Sequence, residues 1–100
     1  MDYYRVIFQP SFLEDLESIV RVIAAKDAGA AGRLGELLVR TGESLAFFPE
    51  RHPCVRQRRE LRRCIVAQHY KVFYRVKASE RVVEILRCWD GRRSADPAFE

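Results

Sequence analysis

The sequence predicts an α+β fold of order β-α-α-β-β-β, with a helical hairpin packed on one face of a small antiparallel-rich sheet. Three observations predict it. Apolar residues recur at helical spacing in two stretches before Pro49, the period switches to alternation from about Leu61, and a short aromatic and β-branched run precedes the first helical stretch. With 100 residues, 48% of them hydrophobic, the chain suffices for one compact domain spanning 1–100.

Residues 3–8 form the first strand, being aromatic and β-branched with few breakers. Gln9 and Pro10 stop it, and Ser11 is the expected N-cap of the first helix, with Glu14 as its capping-box partner. Phe12, Leu16, Ile19, Val20 and Ile23 lie at helical spacing, so this helix should be amphipathic and end near Lys26. After Asp27, Ala28 and Gly29 a second stripe follows, made of Ala30, Leu34, Leu37, Leu38, Leu45 and Phe48, and Pro49 stops it. Gly32, Gly35 and Gly42 each weaken that helix by roughly 1 kcal/mol relative to alanine, which points to close backbone packing there.

Residues 61–66, 70–76 and 81–89 read as three strands, joined by 67–69 and 77–80, which are short enough for hairpins. In the middle strand Tyr70, Val72, Tyr74 and Val76 share the face expected to lie under the helices. Lys71, Phe73 and Arg75 share the other, expected to stay open to a partner, and the first strand is expected at the sheet edge.

No apolar run approaches the ~20 residues of a membrane helix, and residues 1–5 lack the pattern of a signal peptide, so a cytoplasmic protein without a membrane span is expected. Cys54, Cys64 and Cys88 contain no C-x-x-C pair, so neither a disulfide framework nor a metal site is expected, and no cofactor is implied. Cys64 and Cys88 sit in apolar segments and read as small buried hydrophobes.

Charge is divided unevenly. Residues 1–50 carry five basic and eight acidic side chains, and residues 51–100 carry thirteen and six. The run Arg51, Arg56, Arg58, Arg59, Arg62 and Arg63, opposed only by Glu60, and the pair Arg92 and Arg93 fit an anionic partner or, equally, a solvated strand edge that resists pairing.

The chain resembles the RelE/ParE toxins of bacterial type II toxin–antitoxin systems over nearly its whole length. Tyr4-Arg5-Val6 followed by Ser11 to Ile19, with Asp15-Leu16 and Ile19, is similar to the family's first strand and helix. Leu45 to Pro49 is similar to the end of its second helix. Leu61-Arg62-Arg63-Cys64 with Tyr70-Lys71-Val72-Phe73-Tyr74-Arg75-Val76 resembles its central hairpin, and Val83 to Arg87 with Trp89-Asp90-Gly91-Arg92-Arg93 its last strand and tail. The resemblance implies a cytosolic toxin held inactive by a cognate antitoxin in a hetero-oligomer. Two actions are implied: ParE-like inhibition of DNA gyrase, or RelE-like cleavage of messenger RNA on the ribosome. A homologue that keeps the fold and inhibits nothing is the third alternative.

RNA cleavage needs a base, an acid and cations to stabilise the phosphorane. The cations are present, but the catalytic residues are unknown: His52 precedes Pro53 in a loop, His69 lies in a turn, and Glu60 sits among arginines. The strand arginine of RelE-like members falls on Val66, their tail arginine near Gly91 or Arg92, and their tail tyrosine has no counterpart, Phe99 being unable to transfer a proton. The hairpin is closer to ParE-like members. That reading makes Arg62, Arg63, Trp89, Arg92 and Arg93 target contacts and Arg56, Arg58 and Arg59 antitoxin contacts, with acidic antitoxin residues facing the run from Arg51 to Arg63.

Overall fold

The computed structural model describes residues 3–93 and 95–99. Its elements are β1 (Arg5–Phe8), α1 (Pro10–Ala24), α2 (Ala28–Ser44), β2 (Cys54–Val55), β3 (Arg58–Val66), β4 (Tyr70–Lys77) and β5 (Val82–Asp90), with 3₁₀ turns at Pro49–Arg51 and Ala78–Glu80. The strands form a five-stranded sheet of order β1-β5-β4-β3-β2. β1 lies on the edge as expected and runs parallel to β5; the other neighbours are antiparallel.

The first helix begins one residue before the expected cap. Pro10 occupies its first turn, where a fixed φ and a missing N–H suit the helix, and Gln9 caps it in an extended conformation without a side-chain bond. Ser11 is therefore not the N-cap. Its hydroxyl donates instead to the carbonyl of Leu86 at 2.6 Å and ties the start of α1 to β5. The helix ends at Ala24, two residues before Lys26, because the amides of Lys26 and Asp27 both turn back onto the Ile23 carbonyl. Asp27 then caps α2, accepting from the Ala30 amide at 3.0 Å.

α2 stops at Ser44 rather than running to Pro49. Leu45 is still buried in the core, but Phe48 takes a left-handed φ of 48° and is 83% exposed, so it leaves the predicted stripe. Gly42 explains itself by proximity: a Cβ there would stand 2.6 Å from the Phe8 ring. Gly35 faces Val20 closely, whereas Gly32 meets nothing, so close packing accounts for two of the three.

Both helices cover one face of the sheet. Phe12 and Leu38 from the helices meet Cys64, Val72, Val83 and Ile85 from the strands in the main core. Tyr70 and Tyr74 join them, as the alternation predicted. A bulge between Phe73 and Tyr74 shifts the pairing so that Phe73 stands opposite Arg87 and Tyr74 opposite Ile85. Phe73 points to the other face yet is also fully buried.

That second face is not open at its centre. Residues 95–99 cross it, with Pro97 buried and the Phe99 ring edge-on to Phe73 at 5.1 Å. Beneath them, Leu61 is 1% exposed. The expected open basic surface is therefore a second, smaller apolar cluster rimmed by charge.

Candidate functional site

Register places the second-face side chains in rows across the strands. Arg63, Phe73 and Arg87 make one row, and Ile65, Lys71 and Trp89 the next. Arg87 reaches around the edge of β5, where Asp15 of α1 takes it in a fork of 2.6 and 2.8 Å and also accepts from the Cys88 amide. β1 ends before this part of β5, so α1 side chains satisfy the strand edge there.

Two guanidinium groups lie over the Trp89 ring, Arg87 at 5.3 Å and Arg93 at 4.3 Å from its centroid, and its indole N–H donates to the Ala95 carbonyl. Arg92 is held by Asp90 through two hydrogen bonds of 2.9 and 2.8 Å. The Arg92 hydrogen bond, outweighing what burial does, holds the Asp90 carboxyl at about 2, so the pair stays ionised. Gly91 makes the bend possible: its amide donates to the His69 carbonyl at 2.7 Å, and a Cβ would stand 2.3 Å from that oxygen. Trp89, Arg92 and Arg93 thus gather at one end of the sheet, beside a cavity of about 500 Å³ that Tyr70, Ser18 and Val22 also line.

Arg62 and Arg63 lie elsewhere. Arg62 donates to the carbonyls of Glu50 and His52 at 3.1 and 2.7 Å, and Tyr74 donates to Pro49 at 2.6 Å, so both bolt the 49–53 loop to the sheet. Arg51 does the same for the end of α2, donating to the Phe47 carbonyl and the Ser44 hydroxyl. Arg63 stands on the second face beside Phe73. Arg56 and Arg59 are exposed around the β2–β3 turn, while Arg58 pairs with Glu60 at 2.8 Å and sits over the Phe99 ring.

Among the described residues, proton-transfer groups near these cations are few: His69, whose carbonyl holds Gly91, and Tyr70, which lines the cavity. Burial and the charge of Arg51 push the His52 imidazole below its usual range, and its ring lies edge-on to Tyr74. His69 packs on Tyr70 with ring centroids 4.5 Å apart, and its buried Nε2 has no hydrogen-bond partner. The hydrogen bond from Arg58 holds Glu60 down, so it is a weak base at neutral pH. Burial lifts the Tyr74 hydroxyl and the Cys88 thiol each to about 12 and raises Cys64, so none of the three ionises readily. Val66, where the resemblance would put a strand arginine, is buried in the main core. Among the described residues no group of acids, histidines and cysteines has the arrangement of a metal site. Nor is any helix among them long and apolar enough to cross a membrane.

The family described as the ParE toxin of type II toxin–antitoxin systems, parDE, matches residues 6–95. The chain belongs to this ParE toxin family. Among solved structures it is similar to one titled as the chromosomal ParDE toxin–antitoxin system of P. aeruginosa, with a TM-score of 0.76 at 14% identity over 90% of this chain and 98% of that one. It is similar to the toxin–antitoxin complex RelBE2 of Mycobacterium tuberculosis, with a TM-score of 0.68 at 21% identity over 88% and 98%. The isolated E. coli RelE toxin follows at 0.55 and 17% over 91% and 87%. Identities this low speak for the fold, and the family match carries the assignment as a toxin of a type II system. No curated protein matches the chain.

Sequence reasoning missed three ParE-chain features: the Arg87–Asp15 bridge, the Lys71–Asp96 ion pair of 2.8 Å, and the burial of Phe73 by the tail. Only the tail left a usable signal, an apolar Pro97 and Phe99 placed after a charged stretch.

Proposed function

We propose that this ParE-family toxin inhibits DNA gyrase by binding it, with no reaction catalysed by the chain itself. The supporting observation is the mismatch between cations and bases. Arg87, Arg92 and Arg93 cluster around Trp89, yet neither histidine lies among the residues that line the adjoining cavity, and the carboxylates there are Asp15 and Asp90, each engaged by an arginine. Such a surface recognises rather than cleaves. Arginine and tryptophan are the residue types that most often dominate interfaces. Asp90 orients the Arg92 guanidinium, and the Trp89 ring restrains Arg93, so less side-chain freedom is lost on binding.

A cognate antitoxin neutralises the toxin in this reading, as an amphipathic helix or extended segment over the sheet edge and helical hairpin, with acidic residues facing Arg56, Arg58 and Arg59. Charge reversal at those three positions should weaken antitoxin binding, and an unchanged affinity sinks that placement. Arg62 is left out of the set because it anchors the 49–53 loop.

The test of the gyrase reading is purified toxin added to gyrase with relaxed plasmid and ATP. Loss of supercoiling, with linear DNA released on denaturation, is expected. A folded toxin that leaves gyrase untouched but cuts messenger RNA on programmed ribosomes overturns it and sends the search for a base to His52, His69 and Glu60.

A further inference from the structure

The geometry points to a peptide-docking groove on the face of the sheet opposite the helices, of which the chain's own tail is a displaceable occupant. The exchanging partner is an extended protein segment carrying an acidic residue three positions ahead of an aromatic one.

The tail shows what the groove accepts. Asp96 places its carboxylate on Lys71 at 2.8 Å, and Phe99 sets its ring against Phe73 and under Arg58. Between them the groove takes main-chain carbonyls: the Trp89 indole holds that of Ala95 at 2.8 Å, and Arg87 holds that of Ala98 at 2.9 Å. Every hydrogen-bond donor here is a sheet side chain. Among the described residues no backbone–backbone hydrogen bond joins 95–99 to a strand. An extended segment of another protein offers the same carbonyls, so these contacts select only the acid, the aromatic ring and their spacing.

Two further observations favour exchange over a permanent cover. Phe99 does not fill its site: a cavity of about 420 Å³ continues past it along Leu61, Leu86, Arg75 and Pro10. A longer or larger partner residue therefore finds space beside Pro10, Leu86 and the Arg75 stem that the tail leaves open. The ties are also weak ones. The Asp96 side chain is 40% exposed in its ion pair, and such pairs contribute little in water. Arg58, Arg63 and Arg87 rim or underlie the groove, which gives an acidic segment the favourable charge.

Trp89 is the chain's single tryptophan and bonds the tail directly, so its fluorescence reports tail release. The probe is a labelled synthetic peptide of residues 94–100, and the control peptide carries D96K with F99A. The full chain is compared with its F99A and D96N variants, the second removing only an exposed charge. F99A should shift Trp89 emission to longer wavelength and bind the probe up to about fivefold more tightly than the intact chain, and D96N should do the same to a smaller extent, since the tethered tail competes less well. The control peptide should bind none of them. Peptides that move the acid one position nearer or farther should bind less well. Equal probe affinity for all three chains, no binding to the variants, or equal binding of the control overturns the groove. Gyrase and antitoxin are absent from the assay, so its outcome is independent of the gyrase reading.

Discussion

On the helix side of β3, β4 and β5, Cys64, Val72, Val83 and Ile85 are sealed by two helices, whereas on the other side Leu61 and Phe73 are sealed by five residues of tail. The first side is apolar apart from the hydroxyls of Tyr70 and Tyr74, the latter bonded to the Pro49 carbonyl. The second is held at its margins by ion pairs, Arg75 with Glu84 at 2.6 Å and Lys71 with Asp96 at 2.8 Å. Apolar burial is stabilising in proportion to area, while an ion pair as exposed as that of Asp96, the only one of the two that holds the tail, is nearly neutral. The same strands thus carry a permanent face and an openable one, and recognition belongs on the second because it can be uncovered without unfolding the first.

The contrast predicts a wide gap between two phenylalanines. Phe12→Ala empties a fully buried site in the main core and should cost about 3–5 kcal/mol, a large share of the roughly 5–15 kcal/mol that holds such a domain together. Phe99→Ala should cost about 1 kcal/mol or less. Urea unfolding of both variants checks this, and equal losses would break the distinction between the faces.

Between these extremes stands the link around the β5 edge. Arg87→Met leaves Asp15 half-buried without its cation and should destabilise by about 1–3 kcal/mol. A double-mutant cycle with Asp15→Asn should recover part of that loss, and strict additivity would mean the bridge joins nothing.

Acid should loosen the second face first. Burial alone would lift the Glu84 carboxyl, but the hydrogen bond and charge of Arg75, with Lys77, more than offset it and hold the group low. A lowered folded-state pKa contributes stability that is complete above the unfolded value, 4.5, and is lost as pH falls through the folded one. Urea midpoints measured downward from pH 6 should therefore fall less steeply below pH 4.5 in Glu84→Gln than in the parent chain; identical slopes would remove Glu84 from the account.

The smallest effect on stability is expected where the proposed effect on function is largest. Arg92→Ala with Arg93→Ala changes two exposed side chains and should move stability by no more than about 0.5 kcal/mol while abolishing gyrase inhibition. A folded double variant that still inhibits gyrase rules out the arginine end of β5 as the contact.

Periodicity was sufficient for the helix side and insufficient for the other. The stripes through Phe12, Leu16 and Leu38 and the alternation of Tyr70, Val72 and Tyr74 predicted what the core contains, because both follow from side-chain direction along regular elements. The burial of Phe73 escaped that logic. Alternation puts it on the face away from the helices, as expected, but not under a cover, because that cover is an irregular segment held by main-chain carbonyls, which leave no period in the sequence. Ser11 was a sound cap by residue type, but Pro10 already started the helix and the hydroxyl had a partner 75 positions away. The arginines were visible as charge alone. That Arg51 and Arg62 anchor loops, Arg87 bridges to α1, and Arg92 leans on Asp90 depends on which acceptors the fold brings near.

The parallel pairing of β1 with β5 has a consequence for synthesis. Arg5 stands beside Val82 and Phe8 beside Ile85, so among the described residues the first strand has its one sheet neighbour in the last strand to be made. Loop closure over such a separation comes late, and a growing chain exposes its N-terminal segments before its C-terminal ones. During translation the helical hairpin therefore waits without a completed sheet beneath it until β5 has left the ribosome tunnel. The sheet thus acquires its parallel edge strand only after β5 has emerged.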